Sequence, residues 1–231
     1  ELSIPVILCT SKTEAEVSVI RKELKLNDPY IVENGAAIYG ESLTKVKGKI
    51  ILGEKYEILE KILMRISKEI DFDLRPLNNL SDKEATELTG LKGYSLELMR
   101  ARYWSMPFLN PPVSIEEKLN ICCKKFNVVT FRGNRMSHML SINSNKGLAI
   151  NALKKYVNKT NIKIIGLGDS PNDLPLLLSA DFKIIIPGPN GPNLKLLNQL
   201  EDYKFILANE PNGYGWRNEI NKLINKLVLI K

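Results

Sequence analysis

Residues 163–188 place two apolar runs, KIIGLG and FKIIIPG, on either side of SPNDLPLLLSA. Short unbroken apolar runs read as strands buried on both faces. The stretch between them opens like a helix, with Ser170 as N-cap and Pro171 at the first helical position. Strands joined through a helix run parallel, in a sheet that helices cover on both sides. The start of the chain repeats the pattern. IPVILCT is an apolar strand, Thr13 and Glu16 form a capping box, and TEAEVSVIRKELKL is the helix that the box opens. PYIVENGAAIY then gives two short strands around an Asn-Gly turn. NKGLAINALKKYV and the closing NEINKLINKLVLI carry helical apolar spacing. The fold class is α/β.

The middle, 41–142, mixes helix and strand differently. KGKIILGE reads as a strand, and YEILEKILMRISKEI as a helix with Ile58, Leu59, Ile62, Leu63, Ile66 and Ile70 on one face. Ser81/Glu84 and Ser114/Glu117 are further capping boxes. FNVVTFRG and MSHMLSI pair as a hairpin across Gly133-Asn134, and NPPVS is a loop. The expected organisation is a core of residues 1–40 and 143–231 interrupted by an α+β domain of residues 41–142.

Composition narrows the function classes. A hydrophobic content of 44% with 26% charged residues is that of an ordinary globular chain. No apolar run approaches the roughly 20 residues of a membrane span, and ELSIPVILCTSK lacks the basic start of a signal peptide. Cys9, Cys122 and Cys123 have no metal-ligand spacing, which suits reduced thiols in a cytoplasmic protein. The net charge of +7 is spread along the chain without a dense Lys/Arg block. It argues against a nucleic-acid groove and leaves room for a small anionic substrate. The chain is expected to work as a monomer or weak homodimer.

Three places carry chemistry. In GLGDSPND, Asp169 sits where a strand ends and Asp173 on the first helical turn, the part of an α/β sheet where ligands gather. Asp169 suits direct coordination of Mg²⁺, and Asp173 either ligates the ion or orients its waters. The structural alternative is a turn closed by Asp169 and a helix dipole met by Asp173. In CTSKT, the hydroxyls of Thr10 and Ser11 and the charge of Lys12 follow a buried strand. Such an edge cradles phosphate, although Ser and Thr end many strands for capping alone. Lys146 lies at a helix start in SINSNKG, where an isolated lysine is otherwise a solvated surface residue.

The order of these features is similar to that of the haloacid dehalogenase superfamily. A strand ending in Thr/Ser is followed by an inserted domain, a Lys at a helix start, and GD-x-x-ND. The resemblance runs over essentially the whole chain and implies a Rossmann-like parallel-sheet core with a Cof-type (C2) cap. CTSKT, ENGAAIY and the stretch from GNRMSH to NKG resemble the mannosyl- and glucosyl-3-phosphoglycerate phosphatase branch. The resemblance implies that Thr10 holds the phosphoryl group and that Lys146 neutralises phosphate and nucleophile. Asp169, with Asp173 and Asn172 behind it, would place Mg²⁺. An aspartate would attack phosphorus, and water would hydrolyse the aspartyl-phosphate.

In that family the attacking aspartate belongs to a D-x-D-G-T motif, which these residues do not contain. DFDLRPL, with Asp71 and Asp73, imitates it but lacks Gly-Thr and lies in the inserted domain. The family's motif sits on a central strand, so a segment of about 25 to 40 residues is expected upstream. For the substrate, Asn34 and Gly35 beside the hinge would meet the phosphate end and Glu33 a sugar hydroxyl. Arg102 and Arg135, with Arg100 a weaker candidate, offer guanidinium forks for a glycerate carboxylate. His138, the single histidine, either bonds the substrate or satisfies a neighbour. Trp104 and Trp216 read as packing residues. Two rival readings remain: a phosphatase of another sugar phosphate, and a phosphate-binding homologue without catalysis.

Overall fold

The computed structural model describes residues 4–43, 46–157 and 161–228. The chain divides into two compact units, Glu1–Asn145 and Lys146–Lys231.

In the first unit, α1 (Glu14–Leu24) starts as expected. Thr13 accepts from the Glu16 amide while the Glu16 side chain accepts from the Thr13 amide, a reciprocal box. Strands β1 (Tyr30–Val32), β2 (Ala37–Tyr39) and β3 (Lys49–Ile51) form an antiparallel sheet in that order. The Glu33–Gly35 turn joins β1 to β2, with Glu33 at φ 47° and Asn34 at φ 60°. IPVILCT departs from the two-faced buried strand that its apolarity suggests. It pairs with β1, in parallel, only around Cys9, and Ile4 and Val6 are exposed. Among the described residues β1 is its only ladder partner, so its apolar residues find no second surface to cover them.

The rest of this unit is built on α2 (Tyr56–Ile70), α3 (Asp82–Thr89), α4 (Tyr94–Arg100), β4 (Met106–Leu109), α5 (Val113–Lys125), β5 (Val128–Arg132) and β6 (Met136–Ser141). The last two strands form the expected hairpin, and the antiparallel sheet runs β4-β6-β5. On α2 the buried ridge is Leu59, Leu63, Ile66 and Ile70, spaced three and four apart; Ile58 lies exposed at its margin. That ridge packs with Met106, Phe108, Leu119, Cys122, Cys123 and Met139 into one core. Asp71, half of the imitation D-x-D, ends α2 as a left-handed cap at φ 54°. The Ser81/Glu84 box forms, whereas the Ser114/Glu117 box does not. Helix α5 starts at Val113, one residue before Ser114, with Pro112 as an extended N-cap at φ −54° and ψ 146°, so Ser114 lies inside the helix and cannot cap it.

The second unit has α6 (Lys146–Val157), β7 (Ile165–Gly168), α7 (Leu174–Ser179), β8 (Phe182–Ile185), α8 (Leu194–Gln199), β9 (Ile206–Leu207) and α9 (Asn212–Val228). Its three strands are parallel and adjacent in chain order, as helical crossovers require. Residues 229–230, the end of the expected closing helix, lie outside the described residues. Between β7 and α7, Ser170 caps a short turn that begins at Pro171. Gly166 admits that return: a Cβ there would lie 2.7 Å from the Ala180 Cβ.

Candidate active site

Strand β7 ends in Gly168-Asp169, and the chain turns at once into Pro171–Asp173. Gly168 permits the turn, because a Cβ at that position would sit 2.5 Å from the Asp173 Cβ. Asp173 therefore folds back beneath the strand end. Its Oδ2 accepts from the amides of Asp169 at 3.0 Å and Ser170 at 3.2 Å, and from the Ser170 hydroxyl. Its Oδ1 accepts from Lys146 Nζ at 2.5 Å. Both partners are buried, Lys146 5% and Asp173 6% exposed. Burial alone would raise the Asp173 carboxyl, but the Lys146 ammonium and the amide donors outweigh it and hold the group below its ordinary value.

Helix α6 brings Lys146 to this pair from its first position. It packs so closely on α7 that a Cβ on Gly147 would lie 2.4 Å from the Pro175 carbonyl oxygen. Asp169 is exposed, and its carboxyl lies against that of Asp173. Partial shielding of its carboxyl, followed by the Asp173 carboxylate, raises its pKa. A bound cation relieves that kind of repulsion, and carboxylate and amide oxygens are the hard donors that Mg²⁺ takes. The three residues expected to hold metal thus differ in availability. Asp169 presents its carboxylate. Asn172 Oδ1 accepts from the Ser170 hydroxyl at 2.6 Å, and both Asp173 oxygens are engaged. Asp173 suits orientation better than coordination. Among the described residues no group of three or more His, Cys, Asp and Glu side chains forms a metal cage.

In the first unit, the loop after Cys9 is fastened to the Glu33–Gly35 turn. Glu33 N donates to the Lys12 carbonyl and Asn34 N to the Thr10 carbonyl, each at 2.9 Å. Thr10 Oγ1 accepts from Lys12 N at 3.2 Å, and Lys12 Nζ pairs with Glu16 at 2.9 Å, so the lysine charge is already balanced on α1. Gly35 takes φ 94°, which completes three successive left-handed residues in the turn. Glu33 departs from its expected role. Its carboxylate is fully buried and accepts from Tyr103 N at 3.0 Å, Trp104 N at 3.1 Å and Ser105 Oγ at 2.6 Å. A sugar hydroxyl has no access to it here.

Arg102 lies beside this cluster. One of its terminal nitrogens donates to the Ser11 carbonyl at 3.1 Å and to Ser105 Oγ at 3.0 Å. Among the described residues its Nε is buried without a partner, as is Nδ1 of His138. Burial, then the Arg102 charge, pushes His138 down to about 3, so its imidazole is neutral at pH 7. The other candidates are spent on structure. Arg100 holds Asp82 and the Leu80 carbonyl, and Arg135 the Thr89 carbonyl at 2.7 Å. Trp104 packs in the β1–β2 core and donates to Tyr39 Oη at 2.9 Å; Trp216 is half-exposed. Ser105 and Thr13, which also donates to the Leu98 carbonyl, were not visible as site residues. Their partners lie 72 and 85 positions away, where no local pattern reaches.

A haloacid dehalogenase-like hydrolase family model matches residues 105–187. A glucosyl-3-phosphoglycerate/mannosyl-3-phosphoglycerate phosphatase of Methanococcoides burtonii is 31% identical over 98% of this chain and 87% of its own length. One of the same name from Persephonella marina is 29% identical over 97% and 86%. A crystal structure from Thermoplasma acidophilum superposes with a TM-score of 0.67 at 19% identity, covering 98% of this chain and 84% of its own, which establishes a shared α/β fold.

Proposed function

We infer, because this chain belongs to the haloacid dehalogenase-like hydrolases and its relatives are named as phosphatases, that it is a Mg²⁺-dependent phosphomonoesterase acting on a mannosyl- or glucosyl-3-phosphoglycerate. The products would be the glycosylglycerate, a compatible solute, and phosphate. The observation that carries the reading is the buried Lys146–Asp173 pair beneath an exposed Asp169 at the carboxyl end of β7. A buried ammonium held by one carboxylate is costly unless its charge is used. Here it would stabilise negative charge on the phosphoryl oxygens in a dry, preorganised setting.

In this reading Asp169, with Asn172 beside it, would hold Mg²⁺, and Asp173 would orient Lys146 and the metal's surroundings. Mg²⁺ would supply charge neutralisation at the phosphoryl group. Thr10, with Ser11 and Lys12, would hold that group, and Asn34 and Gly35 would approach the phosphate end of the substrate. Arg102 and His138 would receive the glycerate carboxylate, with Arg135 at the margin. In this reading the attacking aspartate would belong to a D-x-D-G-T segment, a motif these 231 residues do not contain. We assign residues 1–40 and 143–231 to the core and 41–142 to the cap. A cytoplasmic setting fits cysteines that form no disulfide among the described residues, where there is also no helix long and apolar enough to cross a membrane.

The test is phosphate release from both glycosyl-3-phosphoglycerates with Mg²⁺, by the sequence with a D-x-D-G-T strand placed ahead of it. Turnover that disappears on Asp169→Asn is expected. A folded protein inactive on both substrates would overturn the substrate assignment.

A further inference from the structure

We propose that Glu33 is a positioning residue for the carboxylate end of the substrate, fixing Arg102 beside the Thr10–Lys12 loop rather than touching the sugar. The inference rests on the reading above, in which Arg102 receives a carboxylate.

Three observations converge on Glu33. Its backbone sits at φ 47°, next to Asn34 at φ 60°. Left-handed conformations of this kind strain a residue that carries a Cβ and persist where the surroundings over-determine them. The surroundings do so here, since the same two residues donate to the Lys12 and Thr10 carbonyls and so hold the hydroxyl loop in place. The side chain points the other way along the network. Its two oxygens take the amides of Tyr103 and Trp104 and the hydroxyl of Ser105, so three donors of one segment are pinned to one carboxylate.

Ser105 then hands the constraint to Arg102. Having given its proton to Glu33, its oxygen accepts from the Arg102 guanidinium at 3.0 Å, and the same nitrogen reaches the Ser11 carbonyl at 3.1 Å. The chain of bonds runs Arg102 to Ser105 to Glu33, and Glu33 is also the leading carboxylate offsetting the desolvation of the buried Arg102 charge. Among the described residues, Nε of Arg102 and Nδ1 of His138 remain buried without partners. A buried N–H and an imidazole nitrogen left unpaired are costly, and a ligand carboxylate satisfies an N–H of that kind. The deeply buried Glu33 cannot reach solvent to serve as that ligand's partner. It sets the geometry in which Arg102 does.

Glu33→Gln keeps the shape but cannot accept at both oxygens, so one of the Tyr103, Trp104 and Ser105 donors faces an amide N–H₂. Ser105→Ala removes the hydroxyl that joins Arg102 to Glu33 and leaves the Tyr103 and Trp104 backbone bonds to Glu33. The probes are 3-phosphoglycerate and glycerol 3-phosphate, which differ by a carboxylate against a hydroxymethyl group. Their Kd values are compared by titration calorimetry on the full chain, for the unaltered protein and both variants. The unaltered chain is expected to prefer 3-phosphoglycerate by about ten-fold or more, the worth of a charge-assisted pair. In both variants that preference should fall below about three-fold, with the Kd for glycerol 3-phosphate unchanged within about two-fold. A merely structural role would weaken both ligands together and would overturn the inference. So would a preference kept intact in Ser105→Ala, which decides the matter should Glu33→Gln not fold. Absence of binding by either ligand overturns the functional reading itself. Binding of both without preference overturns only the carboxylate role of Arg102 and, with it, this inference.

Discussion

The ammonium of Lys146 lies 2.5 Å from Oδ1 of Asp173, and both side chains are almost wholly withdrawn from water. An ion pair in that position is worth little as net stability, but each partner depends on the other. Removing one leaves a charge buried without compensation, at about 3 to 5 kcal/mol. Lys146→Met should therefore lower the unfolding free energy by about that amount in a urea titration. Asp173→Asn should cost a comparable amount, since the amide keeps an acceptor for the Asp169 and Ser170 amides but leaves the Lys146 charge buried without its counter-ion. A Lys146→Met variant within about 1 kcal/mol of the parent would mean the pair is solvated.

Gly147 allows that pair to form. A Cβ at this position would meet the Pro175 carbonyl oxygen at 2.4 Å and the Ser179 hydroxyl oxygen at 2.8 Å. The first is backbone and cannot swing away, so Gly147→Ala must push α6 off α7. Overpacking of this kind costs about 1 to 3 kcal/mol, even though alanine is the better helix former. Denaturant midpoints would show the loss. A stabilised Gly147→Ala protein would mean that propensity prevails and the two helices part freely.

Much of this arrangement was legible because it is local. The Thr13/Glu16 and Ser81/Glu84 boxes, the Ser170-Pro171 start and the β7–β8 alternation rest on residues within a few positions of one another. The Ser114/Glu117 pattern was local too, but the helix starts one residue earlier, at Val113, which puts Ser114 past the capping position. The Arg102–Ser105–Glu33 chain was illegible for another reason. Its members are brought together by the fold across 72 positions, and a buried glutamate reads in a sequence like any exposed one. Lys146 was harder still, since only burial separates it from a surface lysine.

Asp169 and Asp173 separate metal binding from folding. Asp173 holds the turn through two amides, whereas Asp169 is exposed and presents its carboxylate. Asp169→Asn should leave the unfolding free energy within about 0.5 kcal/mol, as exposed substitutions do. Under the proposed role of Mg²⁺, the added ion should stabilise the parent against heat, since a ligand of the folded state raises stability by mass action, and Asp169→Asn should abolish that shift. A variant that keeps the full Mg²⁺ shift would place the cation elsewhere.

His138 offers a probe that needs no turnover. Burial, with the Arg102 charge second, holds it down to about 3, against an unfolded value near 6.5. Because the folded value is the lower one, the unfolded chain takes up the proton first as pH falls. The stability contribution of neutral His138 is complete above about 6.5 and is lost between about 6.5 and 3, at up to about 1.4 kcal/mol per pH unit. The chain has one histidine, so its ring resonances in a ¹⁵N-correlated NMR titration are unambiguous. They should stay those of a neutral imidazole at pH 5. A carboxylate ligand beside Arg102 would offset the nearby positive charge and raise the apparent value. Titration near 6.5 in the free protein would show a solvated His138 and remove it from the carboxylate site.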